Sequence, residues 1–450
     1  MADQRYAVWH PFLTIPWRAD ELTVERIRPH LLMVEQGKGA RVTDIEGRSY
    51  ITLFSAANVI GLGRADVAEC CAEQLRRLSY HPLFAGGHPL AQELAEQLLK
   101  VAPPQFRMVF FCNDGSGAVE TALKMARQYH LITGQPTRKN FIALTGAYHG
   151  ASYGALSLTD HGLHALYEPM VPGCLTVPAP HSFHPPFPGG AEGLARRCAE
   201  ALELRITASG PETIAAVVLE PVQSVGGVVP FPAEYFALVR EITRRHGVLL
   251  IVDEVTTGFG RLGAWFGSSR WAIDADIMAV AKGLTSGYFP MGATFATARV
   301  YDAFASEGGG FPHAWTTGGH PAGCAVALAV LEIIHREGLV QNADEVGAFL
   351  LARLRASLAD HPHVGDIRGV GLMLGVEIVE DKATKTRPSF DLMNAVVHAL
   401  RSERLLVAVT SGVLTLYPLL CLSYGEAEEI VARLASAFRR ISAREAVRTI

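Results

Sequence analysis

From about residue 65 onward, short apolar runs alternate with stretches of helical periodicity, and this alternation restricts the fold more than any other property of the chain. The apolar runs occupy residues 108–112, 141–144, 214–219, 248–252, 277–280 and 293–296, with helical patterns such as 118–130 and 233–246 between them. Strand and helix in alternation predict an α/β fold with a mostly parallel sheet covered on both faces. Ligands on such sheets bind outside the carboxyl ends of the strands, so chemistry is to be sought there.

The ends of the chain read differently. Residues 1–60 begin with an aromatic and Pro-bearing stretch (Trp9, His10, Pro11, Trp17) and continue with alternating segments at 41–44 and 49–53 around the turn Asp44-Ile45-Glu46-Gly47-Arg48, which predicts a small antiparallel hairpin. Residues 61–325 hold the alternating pattern and form the expected large domain. The last segment, 326–450, mixes helical patterning (348–358) with strand patterns at 370–376 and 405–409, so the two ends are expected to build a smaller α+β domain together. Residues 178–190, dense in Pro and Gly, read as a long surface loop.

Several function classes are disfavoured by composition. A net charge of −4 without a basic patch gives no footprint for nucleic acid. No apolar run approaches the roughly 20 residues of a membrane helix, and the first residues lack the basic end and apolar stretch of a signal peptide. Seven cysteines without metal-like spacing suit a reduced, cytoplasmic protein. The pairs His161/His164 and His181/His184 lack a third ligand nearby, so no metal is expected.

Four stretches carry candidate chemistry. The run 277–281 delivers Lys282 to the loop Gly283-Leu284-Thr285-Ser286-Gly287, where burial would lower the amine's pKa and make it a nucleophile; alternatively the lysine only ends a strand and snorkels. Asn113-Asp114-Gly115-Ser116-Gly117 joins a strand to a helix and offers amides for an anion, although such turns are often only turns. Tyr148-His149-Gly150 puts a ring at the same edge, for stacking or for core packing. Asp253 closes a strongly apolar strand and needs a cation, for which a pyridinium nitrogen would serve; a helix cap or a metal ligand are the alternatives. An amine, an acid, a ring and an anion cradle in one pocket together describe a site for pyridoxal 5'-phosphate.

These stretches resemble class III, ω-type aminotransferases of the pyridoxal phosphate fold type I superfamily. The likeness runs from about residue 35 to 440 and includes Ala118-Val119-Glu120-Thr121-Ala122-Leu123-Lys124, Glu220-Pro221-Val222-Gln223, Asp253-Glu254-Val255-Thr256-Thr257-Gly258-Phe259-Gly260-Arg261 and Val364-Gly365-Asp366-Ile367-Arg368-Gly369. The resemblance implies that Lys282 bonds to the cofactor as a Schiff base and shuttles the substrate proton. It implies that Asp253 pairs with the pyridine nitrogen, Tyr148 and Val255 sandwich the ring, and Gly115 and Ser116 hold the phosphate. His149 and Glu220 complete the cofactor pocket, and Thr316 reaches the phosphate of a partner subunit in a homodimer with its active site at the interface.

The chain departs from this family at three places. The phosphate turn carries Asp114 and Gly117 where relatives have Ser and Glu, a variant that, with Trp9-His10-Pro11-Phe12, is similar to the diaminopelargonate branch. Many relatives wall the substrate pocket with a tryptophan within the segment matching 54–58, where this chain has Ala56 and Ala57. Residues 405–412 contain no counterpart of the arginine that clamps substrate carboxylates, which removes the usual partner of Glu220; Arg261, or an arginine from the first domain, is the alternative clamp. Trp9, Phe84, Tyr148, Ala56, Ala57, Glu220 and Arg261 are therefore the candidate substrate contacts. The expected reaction is ping-pong amino transfer from a small-molecule amine donor to a carbonyl acceptor. A bulky carboxylate-free amine, such as an aminosugar, a polyamine or a natural-product intermediate, is the expected substrate class. Diaminopelargonate-synthase-like or ω-amino-acid:pyruvate transfer is the alternative, with a fold type I mutase or racemase, or a non-catalytic regulator, behind it.

Overall fold

Two strands set the architecture, because they have no exposed face. Ile214–Leu219 and Leu249–Asp253 are buried at every position, which places them in the middle of a sheet with helices on both sides. The structure, a computed structural model, describes residues 4–12, 17–28, 30–54, 56–306 and 310–448, with side chains to 441. Ser55, within the segment matched to the family's tryptophan, lies outside the described residues, as do the extreme ends of the expected terminal segments.

The large sheet has seven strands: β1 Phe106–Cys112, β2 Asn140–Leu144, β3 Cys174–Val177, β4 Ile214–Leu219, β5 Leu249–Asp253, β6 Ile277–Val280 and β7 Gly292–Thr297. Their order is β1-β7-β6-β5-β4-β2-β3. β7 pairs antiparallel with β6 and β1, and the remaining pairs are parallel, so the sheet is mostly parallel as expected. Alternate residues feed two separate cores: Val217, Leu219, Leu250, Val252, Met278 and Val280 join one cluster, while Ala216, Val218, Leu249, Ile251, Ile277 and Ala279 join the other. Each large aliphatic side chain so buried contributes roughly 1.5–3 kcal/mol.

The second cluster is closed by α1, Gly115–Ile132, whose Ala118, Ala122 and Ala126 are fully buried against the sheet. Strand β3 was not expected from the sequence, since its four residues CLTV pass for part of a loop; it pairs parallel with β2 at the sheet edge. Residues 178–190 form a loop, as expected.

The hairpin near the start is present: Arg41–Asp44 pairs antiparallel with Ser49–Thr52, and Asp44 Oδ1 accepts from the amides of Glu46 at 3.0 Å and Arg48 at 2.9 Å across the turn. Leu405–Leu406 adds to Ser49–Thr52 in parallel, so the two ends of the chain share a sheet. Two expected strands are divided. The run 370–376 is a hairpin, Val364–Val370 with Met373–Ile378, because Gly371 turns the chain at φ +56, where a Cβ would lie 2.6 Å from the Arg261 carbonyl oxygen. The run 405–409 breaks at Val407, and Ala408–Thr410 leaves for a second sheet against Val413–Leu416.

Candidate active site

The carboxyl ends of β1, β2, β5 and β6 open on one cleft with about 1040 Å³ of empty space. Asp253 pairs in register with Ala279 on β6, so the acid and Lys282 leave neighbouring strands at the same edge. Lys282 adopts φ +34, a left-handed conformation that costs a bulky residue about 1–3 kcal/mol and that is held here by the packed Gly283, whose Cβ would meet Phe259 at 2.8 Å. The amine donates to Thr256 Oγ1 at 2.6 Å. Burial lowers its pKa from the ordinary lysine range, although Asp253 and Glu220 pull against the shift. A buried amine with a reduced proton affinity is a nucleophile and a proton carrier.

Asp253 is fixed from two sides. Its Oδ1 accepts from the Val255 amide at 3.0 Å and its Oδ2 meets His149 Nδ1 at 2.8 Å, leaving lone pairs for a cationic group in the cleft that Asp253 lines. Burial works against charge on His149, yet the hydrogen bond and charge of Asp253 raise its pKa above the usual range. The His149 Nε2 atom is buried without a hydrogen-bond partner.

At the other end lies an anion cradle. Asp114 caps α1 by accepting from the Gly117 amide at 2.7 Å, and Gly115 and Ser116 line the cleft at the helix N-terminus. A Cβ on Gly115 would come 2.7 Å from Val255, and one on Gly150 (φ +136) would come 2.6 Å from Ser116 Oγ, which accepts from the Ala151 amide at 3.1 Å. Only glycine lets the backbone pass this close to its neighbours at both positions. Anion cradle, half-buried Tyr148 ring, carboxylate and amine fit the phosphate, ring, pyridine nitrogen and aldehyde of pyridoxal phosphate.

The structure therefore brings together Gly115, Ser116, Tyr148, His149, Asp253, Val255 and Lys282, with Ala57 at the rim. Other sequence-derived candidates stand elsewhere. Ala56 packs against the cluster of Val222, Leu262, Met373 and Tyr417, whereas Ala57 alone of the two alanines lines the cleft. Glu220 is 3% exposed behind the cleft, accepting from the amides of Tyr148 at 3.1 Å and Ser224 at 2.9 Å. Burial pushes its pKa up to about 7, against the opposing charge of His149. Thr316 is exposed and lines no part of this cleft, and Trp9 and Phe84 are 92% and 65% exposed.

Arg261 is 0% exposed, and its guanidinium donates to the carbonyl oxygens of Leu372 at 3.0 Å, of Asn58 at 3.3 Å and of Pro418. It ties the early and late segments of the chain together and does not face the cleft. Arg261→Met is expected to destabilise the protein by about 3 kcal/mol, since three buried carbonyls lose charge-assisted donors, and chemical denaturation measures this directly. A carboxylate clamp would instead give a raised KM for amino acids in a protein of unchanged stability.

Thr256, Thr285, Phe289 and Met291 line the cleft and were not singled out by sequence reasoning. Thr256 follows Asp253 closely enough to have been found. Phe289 and Met291 carry no chemical signature that marks them. Among the described residues no group of three or more His, Cys, Asp or Glu could hold a metal ion.

The class-III aminotransferase family matches residues 23–438. A probable aminotransferase of Mycobacterium tuberculosis is 42% identical over 356 residues, covering 78% of this chain and 76% of the relative. Among solved structures, an amine transaminase from an uncultivated Pseudomonas species in its PLP-bound form superposes with a TM-score of 0.90 at 36% identity, covering 97% and 99% of the two chains. A thermostable ω-transaminase variant engineered for asymmetric synthesis of enantiopure bulky amines, with a tryptophan, a phenylalanine and an arginine replaced, gives a TM-score of 0.90 at 33% identity over 97% and 98%. With its fold type I architecture and a cleft suited to pyridoxal 5'-phosphate, the chain belongs to the class-III aminotransferases.

Proposed function

We propose that this aminotransferase takes its amino group from a bulky primary amine without a carboxylate near the reacting carbon and passes it to a ketone or aldehyde. The observation that carries this reading is the lining of the cleft: among the described residues that line it there is no arginine, and Ala57 and Gly287 stand at its rim where large side chains would narrow it. Arg261 is committed to backbone carbonyls, and residues 405–412 contain no arginine. The engineered neighbour with replaced tryptophan and arginine, made for bulky amines, supports the same direction.

In this reading Lys282 would hold the cofactor until the donor amine displaces it, and the freed amine would then take a proton from the substrate carbon and return it at the neighbouring position. Asp253 would keep a proton on the ring nitrogen, and His149 holds the Asp253 carboxylate in place through its 2.8 Å contact. Tyr148 and Val255, which line the cleft, would pack against the ring and exclude water. The amides of Gly115 and Ser116 hold the phosphate. Bound pyridoxal phosphate supplies the electron sink that stabilises negative charge on the substrate carbon.

Exposed Thr316, Trp9 and Phe84 suit a homodimer in which each protomer completes the other's cleft, with the large PLP-binding domain at 61–325 and the terminal segments 1–60 and 326–450 forming the smaller one. Seven unbridged cysteines suit a cytoplasmic setting, and among the described residues no helix is long and apolar enough to cross a membrane.

A donor screen tests the substrate class. Several carboxylate-free amines, bulky ones included, should serve as donors, measured as donor-dependent change in the visible absorbance of the loaded protein. Ala57→Trp should lower kcat/KM for the bulky donors by about 100-fold and for small amines by less than about threefold, because the added indole takes up cleft space that a bulky substituent needs and a small one does not. Turnover with amino acids alone would overturn the reading.

A further inference from the structure

We propose that Thr256 is a positioning residue for Lys282, holding the amine by a hydrogen bond that fixes the direction of its lone pair and its affinity for a proton; this rests on Lys282 being the reacting amine. Thr256 is buried on the cleft wall and accepts from Lys282 Nζ at 2.6 Å. The Thr256 hydroxyl also lies 3.5 Å from Ser224 Oγ, a long contact to which it can donate, and the Ser224 amide in turn donates to Glu220 Oε2 at 2.9 Å.

A hydroxyl has one hydrogen to give. When that hydrogen is given to Ser224 the Thr256 oxygen accepts from Lys282, and a protonated Lys282, which has no lone pair, can only be the donor. An amine that donates along one fixed direction presents its lone pair along another, and the left-handed backbone at Lys282 starts the side chain from a single restricted geometry. Orientation of this kind replaces a search over rotamers when a proton is to be taken from a substrate carbon.

The same contact acts on the proton affinity of the amine. Charged donors make the stronger hydrogen bonds, so an acceptor at 2.6 Å favours the ammonium over the neutral amine and offsets part of the effect of burial. The charges acting on Lys282 are Asp253 and Glu220, which favour its protonated form, and Arg261, which opposes it; Thr256 adds a directional contact to these longer-range effects. Neighbouring Thr257 is occupied differently, donating to the buried Glu254 carboxylate, so the two adjacent threonines are not interchangeable.

The test begins with cofactor-free protein, in which Lys282 is methylated by formaldehyde and borane as a function of pH and the product is quantified on its peptide by mass spectrometry. Thr256→Val, which keeps the shape and removes the acceptor, should shift the reaction midpoint down by about one pH unit. Thr256→Ser should keep the wild-type midpoint. In the loaded enzyme, Thr256→Val should lower kcat about tenfold with KM for the donor changed less than about twofold. Thr256→Ala carries the same expectation and stands in should the valine variant fail to fold. Midpoints of the apolar variants equal to wild type, or a serine variant that behaves like valine, would overturn the proposal. Retention of turnover in Lys282→Ala would instead overturn the assignment of Lys282, a separate result.

Discussion

Lys282→Ala is expected to lower amino transfer by about 10⁴-fold or more, because on the proposed roles the covalent hold on the cofactor and the general base disappear together. Single-turnover absorbance measurements with a competent donor read the loss. The fold should remain, and the cofactor-free variant should melt above wild type, since a buried amine with a lowered pKa is one the folded state is reluctant to protonate. The sign of the pH dependence follows. Between the lowered folded pKa and the ordinary lysine value of 10.5, the unfolded chain binds more protons at this position than the native protein, so wild-type stability rises with pH through that window. The variant has no such group, and its advantage in Tm should shrink as pH approaches 10.5. A gap that widened with pH would place the lysine in an environment that stabilises its charge, opposite to the one described.

The cofactor half of this site was legible in the sequence because each part sits at the end of a strand. Apolar runs ended by Asp253 and Lys282 are detectable without any knowledge of packing, and the parallel sheet necessarily brings their carboxyl ends to one edge. The substrate half was less legible. Whether Ala56 or Ala57 faces the cleft depends on how one short irregular segment is turned, and nothing in the pattern Phe54-Ser55-Ala56-Ala57-Asn58 decides it. Arg261 shows the same limit: an arginine after Gly260 near an acidic strand end reads as a ligand-binding group, and only the packing of Asn58, Leu372 and Pro418 around it reveals its structural role. The divided strands at 370–376 and 405–409 failed for a local reason, since a continuous apolar run hides both the two-residue turn at Gly371-Leu372 and the change of sheet at Val407.

Asp253→Asn is expected to lower kcat by about 10³-fold, the scale of loss when a fixed charge is removed from a water-excluded site. The substitution is small. An amide oxygen still accepts from the Val255 amide, and the amide nitrogen donates to the neutral form of His149, so the local fold is preserved. What is lost is the negative charge, and with it, on the proposed role of Asp253, the reason for a proton to remain on a ring nitrogen in the cleft. His149 responds in parallel: its pKa is held up by Asp253 against burial, so it should fall below the usual histidine range in the variant, as NMR titration would show. A cofactor analogue methylated at the ring nitrogen separates charge from structure. That nitrogen carries a permanent positive charge, so Asp253→Ala loaded with the analogue should regain much of the activity that Asp253→Ala loses with the ordinary cofactor. Recovery would show that Asp253 acts by keeping the nitrogen charged. No recovery in a folded, analogue-loaded variant would mean that the carboxylate contributes chiefly through its grip on His149, and the order of importance of the two residues would be reversed.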